Sequence, residues 1–251
     1  MKSSRGFTLI ELMVTMAISL LVLLAVSELY MSTRQTYRVQ RMQNHLSEDG
    51  RFALSMLQRV IGQAGYRADP TVALPADRIS GSSSTAVTLK FTADGTNQID
   101  CSGGAAAAGA TTLAIGFANG KLQCDTTDWL ASTGSGNGTE VADFRLQYGV
   151  DDVDAVPATP AEFGCGSNVG GSSFKQRDCV ANRYVGSLSG GQTAAQIVAV
   201  KVCMVLRSES TDTSIVRPAA VGDCSGQAIA GSGTDRKLYR TFRTTVVLRN
   251  R

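Results

Sequence analysis

From Phe7 to Ser27 the chain carries a single ionisable side chain, Glu11, in a run otherwise built from Leu, Ile, Val, Met, Ala, Ser and Thr behind the leading Phe. About 20 apolar residues make a helix long enough to cross a bilayer core. A carboxylate near the start of such a helix is costly in lipid; insertion scales place Asp, Lys or Arg at a helix centre at about 2.5–3.5 kcal/mol. Glu11 therefore needs a partner, and the nearest cations, Lys2 and Arg5, lie upstream. A secretory signal has a basic start, an apolar run and a small-residue cut after that run. The basic start is present as Met1-Lys2-Ser3-Ser4-Arg5, but the small residue, Gly6, stands before the apolar run. A cut after Gly6 would remove residues 1–6 and leave the helix on the mature chain, with the amine of Phe7 as its new terminus. That cation could pair with the Glu11 carboxylate of a neighbouring chain, so that two charges, each unfavourable alone, are tolerated together. A plain signal peptide or simple anchor is the competing reading.

The stretch Arg5-Gly6-Phe7-Thr8-Leu9-Ile10-Glu11-Leu12-Met13-Val14 resembles the class III signal of type IV prepilins and of the pseudopilins of type II secretion. The resemblance implies cleavage after Gly6 by a prepilin peptidase, methylation of the new terminal Phe7, and subunit docking guided by Glu11.

The rest of the chain is consistent with one exported domain. Of 251 residues, about 190 follow the N-terminal helix, a usual size for a single globular unit. Formal charge is +3 and falls to +1 once Lys2 and Arg5 leave with the leader, which gives no electrostatic case for nucleic acid as a main partner. Low aromatic and high Gly content suit a loop-rich, mostly β domain. All six cysteines, Cys101, Cys124, Cys165, Cys179, Cys203 and Cys224, follow the helix. An even number confined to the exported part points to disulfides in an oxidising compartment. The sequence does not choose among the many pairings; sequential pairing, Cys101–Cys124, Cys165–Cys179 and Cys203–Cys224, is the expectation. Zinc is disfavoured by the lack of a C-x-x-C pair and by a single His.

The helix should continue past the membrane. Val39, Met42, Leu46, Ala53, Met56 and Val60 recur at spacings of mostly three and four, an apolar stripe among solvated Arg34, Arg38, Arg41, Glu48, Arg51 and Arg59. Gly50 costs about 1 kcal/mol against Ala in a helix interior and is read as a bend. Gly62-Gln63-Ala64-Gly65-Tyr66, with Asp69-Pro70 beyond, ends the helix. From Phe7 to Gly62 it would run roughly 80 Å at about 1.5 Å per residue.

Strands are expected at Ala86–Thr92, at Thr111–Phe117 and Lys121–Cys124 around the hairpin signal Asn119-Gly120, and at Val141–Tyr148, Gln196–Arg207 and Leu238–Arg249. In the last three, alternation places Ala142, Phe144, Leu146 and Tyr148, then Val198, Val200, Val202, Met204 and Leu206, then Phe242, Thr244, Val246 and Leu248 each on one face, as in an antiparallel sheet with one face buried. That sheet should dock on the helix stripe. Gly50-Arg51-Phe52-Ala53-Leu54, Ala64-Gly65-Tyr66 and the ending Tyr239-Arg240-Thr241-Phe242 through Val247-Leu248-Arg249-Asn250-Arg251 resemble the PilW-type minor pilins, which are related in architecture to J-type minor pseudopilins. The likeness covers both ends well and residues 71–138 poorly.

Other candidate sites give way to simpler readings. Asp151, Asp152 and Asp154 lack an EF-hand pattern and are read as a solvated loop. Gly134-Ser135-Gly136-Asn137-Gly138 contains G-x-G but no strand–loop–helix unit, so it is read as a flexible loop and not as a phosphate cradle. Asn137-Gly138-Thr139 matches a glycosylation sequon that a bacterial chain of this type would leave unused. His45 is read as a surface residue and Trp129 as core or a loop anchor.

The expectation is thus an α+β, type IV pilin-like fold: a leader (1–6), a long N-terminal helix (7–62; membrane-spanning over 7–27, amphipathic over 28–62), and a β-rich periplasmic domain (63–251) whose antiparallel sheet carries loop-rich insertions. The resemblance implies a minor pilin, not an enzyme, with no cofactor and no metal. It would be anchored in the inner membrane and would join other minor pilins to prime and cap type IV pilus assembly, serving motility and adhesion indirectly. Implied partners are those minor pilins, the major pilin, the prepilin peptidase, the assembly platform and a tip adhesin. The alternatives are a J-type pseudopilin of type II secretion, a secreted hydrolase or binding module carrying an unusual anchor, and an anchored adhesive, receptor-binding pilin.

Overall fold

The computed structural model describes residues 8–69, 71–72, 74–75, 77–136, 138–152, 165–168, 175–213 and 215–250, with backbone alone for 165–168 and 175–176. One helix, α1 (Leu9–Gly62), runs through both the apolar and the amphipathic segments without interruption. Its buried residues, Leu46, Gly50, Ala53, Met56, Leu57, Val60 and Ile61, all lie in its last third. The expected stripe is therefore buried from Leu46 onward, while Val39 and Met42 are only half-buried at its edge. At the far end Gly65 takes φ 74°, a conformation that suits Gly, and its N–H donates to Lys90 O. Gln63 clamps Ile99 through both its amide oxygen and its amide nitrogen.

Two four-stranded antiparallel sheets follow. The first has the order β1 (Ala86–Ala93), β2 (Gly109–Ala118), β3 (Lys121–Cys124), β4 (Thr127–Leu130). Asn119 and Gly120 both have positive φ, 52° and 74°, as a two-residue primed turn requires. The second sheet pairs β10 (Tyr239–Val247) with β9 (Ile197–Ser208), β9 with β5 (Thr139–Val150), and β5 with the short β8 (Arg183–Val185). A two-stranded ribbon, β6 (Cys165–Asn168) with β7 (Lys175–Arg177), completes the described strands. α1 packs mainly on β10 and β9, and also touches β4 and β5.

Register explains the core. Phe242, Met204 and Phe144 lie side by side across β10, β9 and β5, as do Thr244, Val202 and Leu146, and then Val246, Val200 and Tyr148. These rows face inward, and Phe144, Leu146, Tyr148, Val200, Val202 and Met204 are fully buried. A register shift between Val141 and Asp143 corrects the sequence alternation: Val141 is buried and Ala142 is not. The bulge inserts one residue and so reverses the facing of everything before it.

Gly50 also departs from expectation. The helix continues through it, and a Cβ built there would fall 2.2 Å from the ring of Phe242. Its helix-propensity cost is offset by letting the sheet's aromatic row approach the helix backbone. Two further ties join α1 to β10: Gln58 Nε2 donates to Thr244 Oγ1 at 2.7 Å and Arg240 Nη1 to Ser47 Oγ at 2.5 Å.

The acidic cluster is not a solvated loop. Asp151 follows directly on β5, is 0% exposed, and accepts the Cys179 N–H at 2.9 Å. Burial pushes its pKa up, against the lowering effect of that N–H. Asp152 accepts from Arg183 Nε at 2.8 Å and Gln192 Nε2 at 2.7 Å, and these hydrogen bonds hold its pKa down. Both acids brace the end of β5 against β8 and the turn before β9. Asp154 lies outside the described residues.

Disulfides join Cys101 to Cys124 and Cys203 to Cys224, with Cα–Cα separations of 5.3 and 5.8 Å. Cys179 is also disulfide-bonded, while the side chain of Cys165 lies outside the described residues. Cys101, Cys124 and Asp125 converge closely enough to suggest metal ligands, but the two sulfurs are bonded to each other and are not thiolates. Trp129 is buried in β4 and donates from Nε1 to Cys101 O at 2.7 Å. His45 is half-buried and lines a crevice with Gly136, Gly138 and Ser208.

The Gly-rich loop at 134–138 does cradle an anion, and the anion is the chain's own. Glu209, just past β9, accepts from Ser132 Oγ at 2.8 Å, Gly134 N at 3.2 Å, Gly136 N at 2.9 Å and Gly138 N at 3.1 Å, and from Thr133. Desolvation works against the carboxylate, but hydrogen bonds from Ser132, Gly138 and Thr133 outweigh it and hold the pKa at about 2 against an ordinary 4.5. A depressed folded value means that the contribution is fully present above the unfolded pKa and is lost as pH falls through the folded one. Amide exchange at Gly136 and Gly138, corrected for intrinsic rates, should therefore lose protection between about pH 4.5 and 2. Glu209→Gln should weaken that protection already at neutral pH and remove most of its acid dependence. Equal protection at both ends of the window in the parent chain would rule out the cradle.

Candidate functional site

The feature that the fold leaves open is the first half of α1. Its most apolar window has a mean hydropathy of 2.6, and none of that window is buried. Leu9 is 77% exposed and Leu24 68%, and every large apolar side chain from Leu9 to Met31 is exposed to a similar degree. Over residues 9–27 this is about 28 Å of helix at roughly 1.5 Å per residue. It is apolar on all sides, whereas a helix that packs on its own domain is apolar along one stripe. Full burial of each Leu, Ile, Val or Met is worth about 1.5–3 kcal/mol, so the segment is driven strongly into lipid, other helices, or both.

The polar atoms of this segment suit such surroundings. Thr15 Oγ1 donates to Leu12 O at 2.9 Å, Ser19 Oγ to Thr15 O at 2.7 Å, Ser27 Oγ to Leu23 O at 2.8 Å and Thr33 Oγ1 to Leu29 O at 2.8 Å. These four hydroxyls are satisfied within the helix, as lipid requires.

Glu11 sits in the first turn and has a local partner that sequence reasoning missed. Thr8 and Glu11 form a capping box: Thr8 Oγ1 accepts the Glu11 N–H at 3.4 Å, and Glu11 Oε2 accepts the Thr8 N–H at 3.2 Å and its hydroxyl at 3.3 Å. The signal was present as Thr8-Leu9-Ile10-Glu11, a Thr followed three residues later by Glu before an apolar run. The box fixes where the helix starts, and a carboxylate there also complements the helix dipole. The carboxylate keeps capacity to spare, because among the described residues the hydrogen bonds to Glu11 all fall on Oε2. Gly6 and Phe7 lie outside the described residues.

Known proteins match this chain in three respects. Residues 1–27 match the prokaryotic N-terminal methylation motif. A solved structure, a type IV-like pilin from Thermus thermophilus, aligns with 82% of this chain and 97% of its own at 13% identity and a TM-score of 0.43. No curated protein matches the sequence. Residues 106–250, more than half of the chain, match the family described as Type IV Pilus-assembly protein W, and the chain belongs to that PilW family.

Proposed function

We propose that this chain is a minor pilin that joins other minor pilins to prime and cap a type IV pilus. Before assembly, residues 7–27 hold it in the inner membrane and the β domain, 63–251, stands in the periplasm. A prepilin peptidase removes residues 1–6 after Gly6 and methylates Phe7. The Phe7 amine then faces a Glu11 carboxylate, its own or a neighbour's, as helices pack laterally at the assembly platform. The role is structural, with binding rather than catalysis as its chemistry.

The observation that carries this reading is the division of α1. The last third is docked on the sheet through Leu46, Gly50, Ala53, Met56, Leu57, Val60 and Ile61, and the first third is apolar all round and uncovered. A simple anchor needs no rigid continuation into the domain. A subunit that must hold its domain at a fixed offset from a helical bundle does. Membership of the PilW family favours the pilus over a J-type pseudopilin of type II secretion.

Two measurements test it. The mature chain should lack residues 1–6 and carry one extra methyl by intact mass. Deletion should abolish surface fibres, and sheared fibres from the parent should contain this chain in far fewer copies than the main subunit. Unchanged fibre number on deletion, or a chain abundant enough to form the shaft, would overturn the proposal.

A further inference from the structure

The sheet face turned away from α1 carries a cleft of about 640 Å³. Arg243, Cys203 and Arg145 form one cross-strand row of this face, and Thr245, Lys201 and Gln147 form the next. With strands about 4.8 Å apart, the two Arg positions stand roughly 10 Å from each other, and Lys201 lies about 7 Å further along the central strand. Arg145 is 3.4 Å from Asp143. Lys201 and Arg243 form no salt bridge among the described residues. Ser84, Gln147 and Ser225 add neutral hydrogen-bonding groups, and the Cys203–Cys224 disulfide forms part of the wall.

We propose that this cleft binds an acidic polysaccharide, with carboxylates on Arg243, Lys201 and Arg145 and sugar hydroxyls on the serines and Gln147. The direction of the face rests on the assembly proposed above. If the apolar half of α1 is enclosed by other helices, the opposite face of the sheet looks outward, toward surfaces the fibre meets. Charge complementarity requires an anion, and the site's form selects its kind. An extended peptide added as a strand needs a free sheet edge, and this is a face. Single-stranded nucleic acid is held by aromatic stacking platforms, and the ring beside the cleft, Tyr184, is already covered by Lys201 at 5.6 Å. A polar, open cleft with separated cations matches a hydroxyl-rich polyanion.

The test uses the full chain in detergent micelles, unassembled, so that a failure of the assembly reading and a failure of this one are distinguishable. Polygalacturonate should bind saturably, and neutral dextran of equal length should not. Binding should weaken at least tenfold in K201Q/R243Q and should fall with added salt, because exposed charges are screened. R51Q/R59Q removes two exposed cations elsewhere on the molecule and should bind as the parent does. Absence of polygalacturonate binding by the parent, or equal binding by K201Q/R243Q, would overturn the site. Tighter binding of single-stranded DNA or polyglutamate than of polygalacturonate would overturn the ligand class.

Discussion

A Glu11→Ala chain should be cleaved and methylated normally, remain in the membrane at the parent's level, and fall at least tenfold in sheared fibres. The three outcomes separate because Glu11 does different physical work in each setting. In the isolated chain it closes the Thr8 capping box, and Ala there removes the carboxylate's half of the box while Thr8 Oγ1 still accepts the residue 11 N–H. In lipid its charge is a penalty of about 2.5–3.5 kcal/mol on the scale for Asp at a helix centre, so Ala should hold the membrane as well or better. Only the docking role predicts a loss confined to the fibre. Glu11→Gln sharpens the test, since Gln also serves at the third position of a capping box but carries no charge to meet the Phe7 amine. Gln should therefore keep the helix start intact and still fail to incorporate. If Glu11→Gln enters fibres as the parent does, the carboxylate acts as a cap and the ion pair is not needed.

How far the architecture could be read from residues depended on the range of the interactions involved. The long helix, the Asn119-Gly120 hairpin and the alternation in β10 are written in short-range patterns, and the structure has them where the patterns lie, whereas β9 is buried on both faces, with Ala199, Cys203 and Val205 covered as well as the expected row. The facing of Val141 and Ala142 was not readable, because a bulge shifts the period and leaves no composition signal. The cradle around Glu209 pairs groups more than 70 residues apart; neither the Gly-rich loop nor the lone acid indicates the other. Gly50 looked like a defect because its partner, Phe242, comes from the far end of the chain. Asp151 and Asp152 looked solvated because acids after a strand usually are, and their partners in the segment from Cys179 to Gln192 are set by tertiary packing. At the candidate site the capping box was local and readable, whereas which part of α1 is docked and which is uncovered required knowing which strands reach it.

Phe144→Ala should be the most damaging single change in the β domain. Phe144 is fully buried in β5, beside Met204 of β9, which lies beside Phe242 of β10, whose ring fills the space over Gly50 of α1. On its other side the Phe144 ring lies 6.2 Å, centre to centre, from Phe117 of the first sheet, tilted by 48°. One row of side chains thus connects the helix, the second sheet and the first sheet, and Phe144 is the member shared by both sheets. Truncating a buried Phe to Ala costs about 3–5 kcal/mol through lost transfer energy and the cavity left behind, and the tilted ring pair adds to the loss. For a domain of this size that is a fall of roughly 6–20 °C in Tm, measurable by circular dichroism of the detergent-solubilised chain. Phe242→Ala should cost less, since Phe242 is only half-buried. Membrane retention should be unchanged in both variants, because the uncovered half of α1 makes no contribution to this row. A Phe144→Ala chain that melts within about 3 °C of the parent would mean that the two sheets are held together elsewhere, with the Tyr148 hydroxyl, 2.7 Å from Ser83 O, as the next contact to remove.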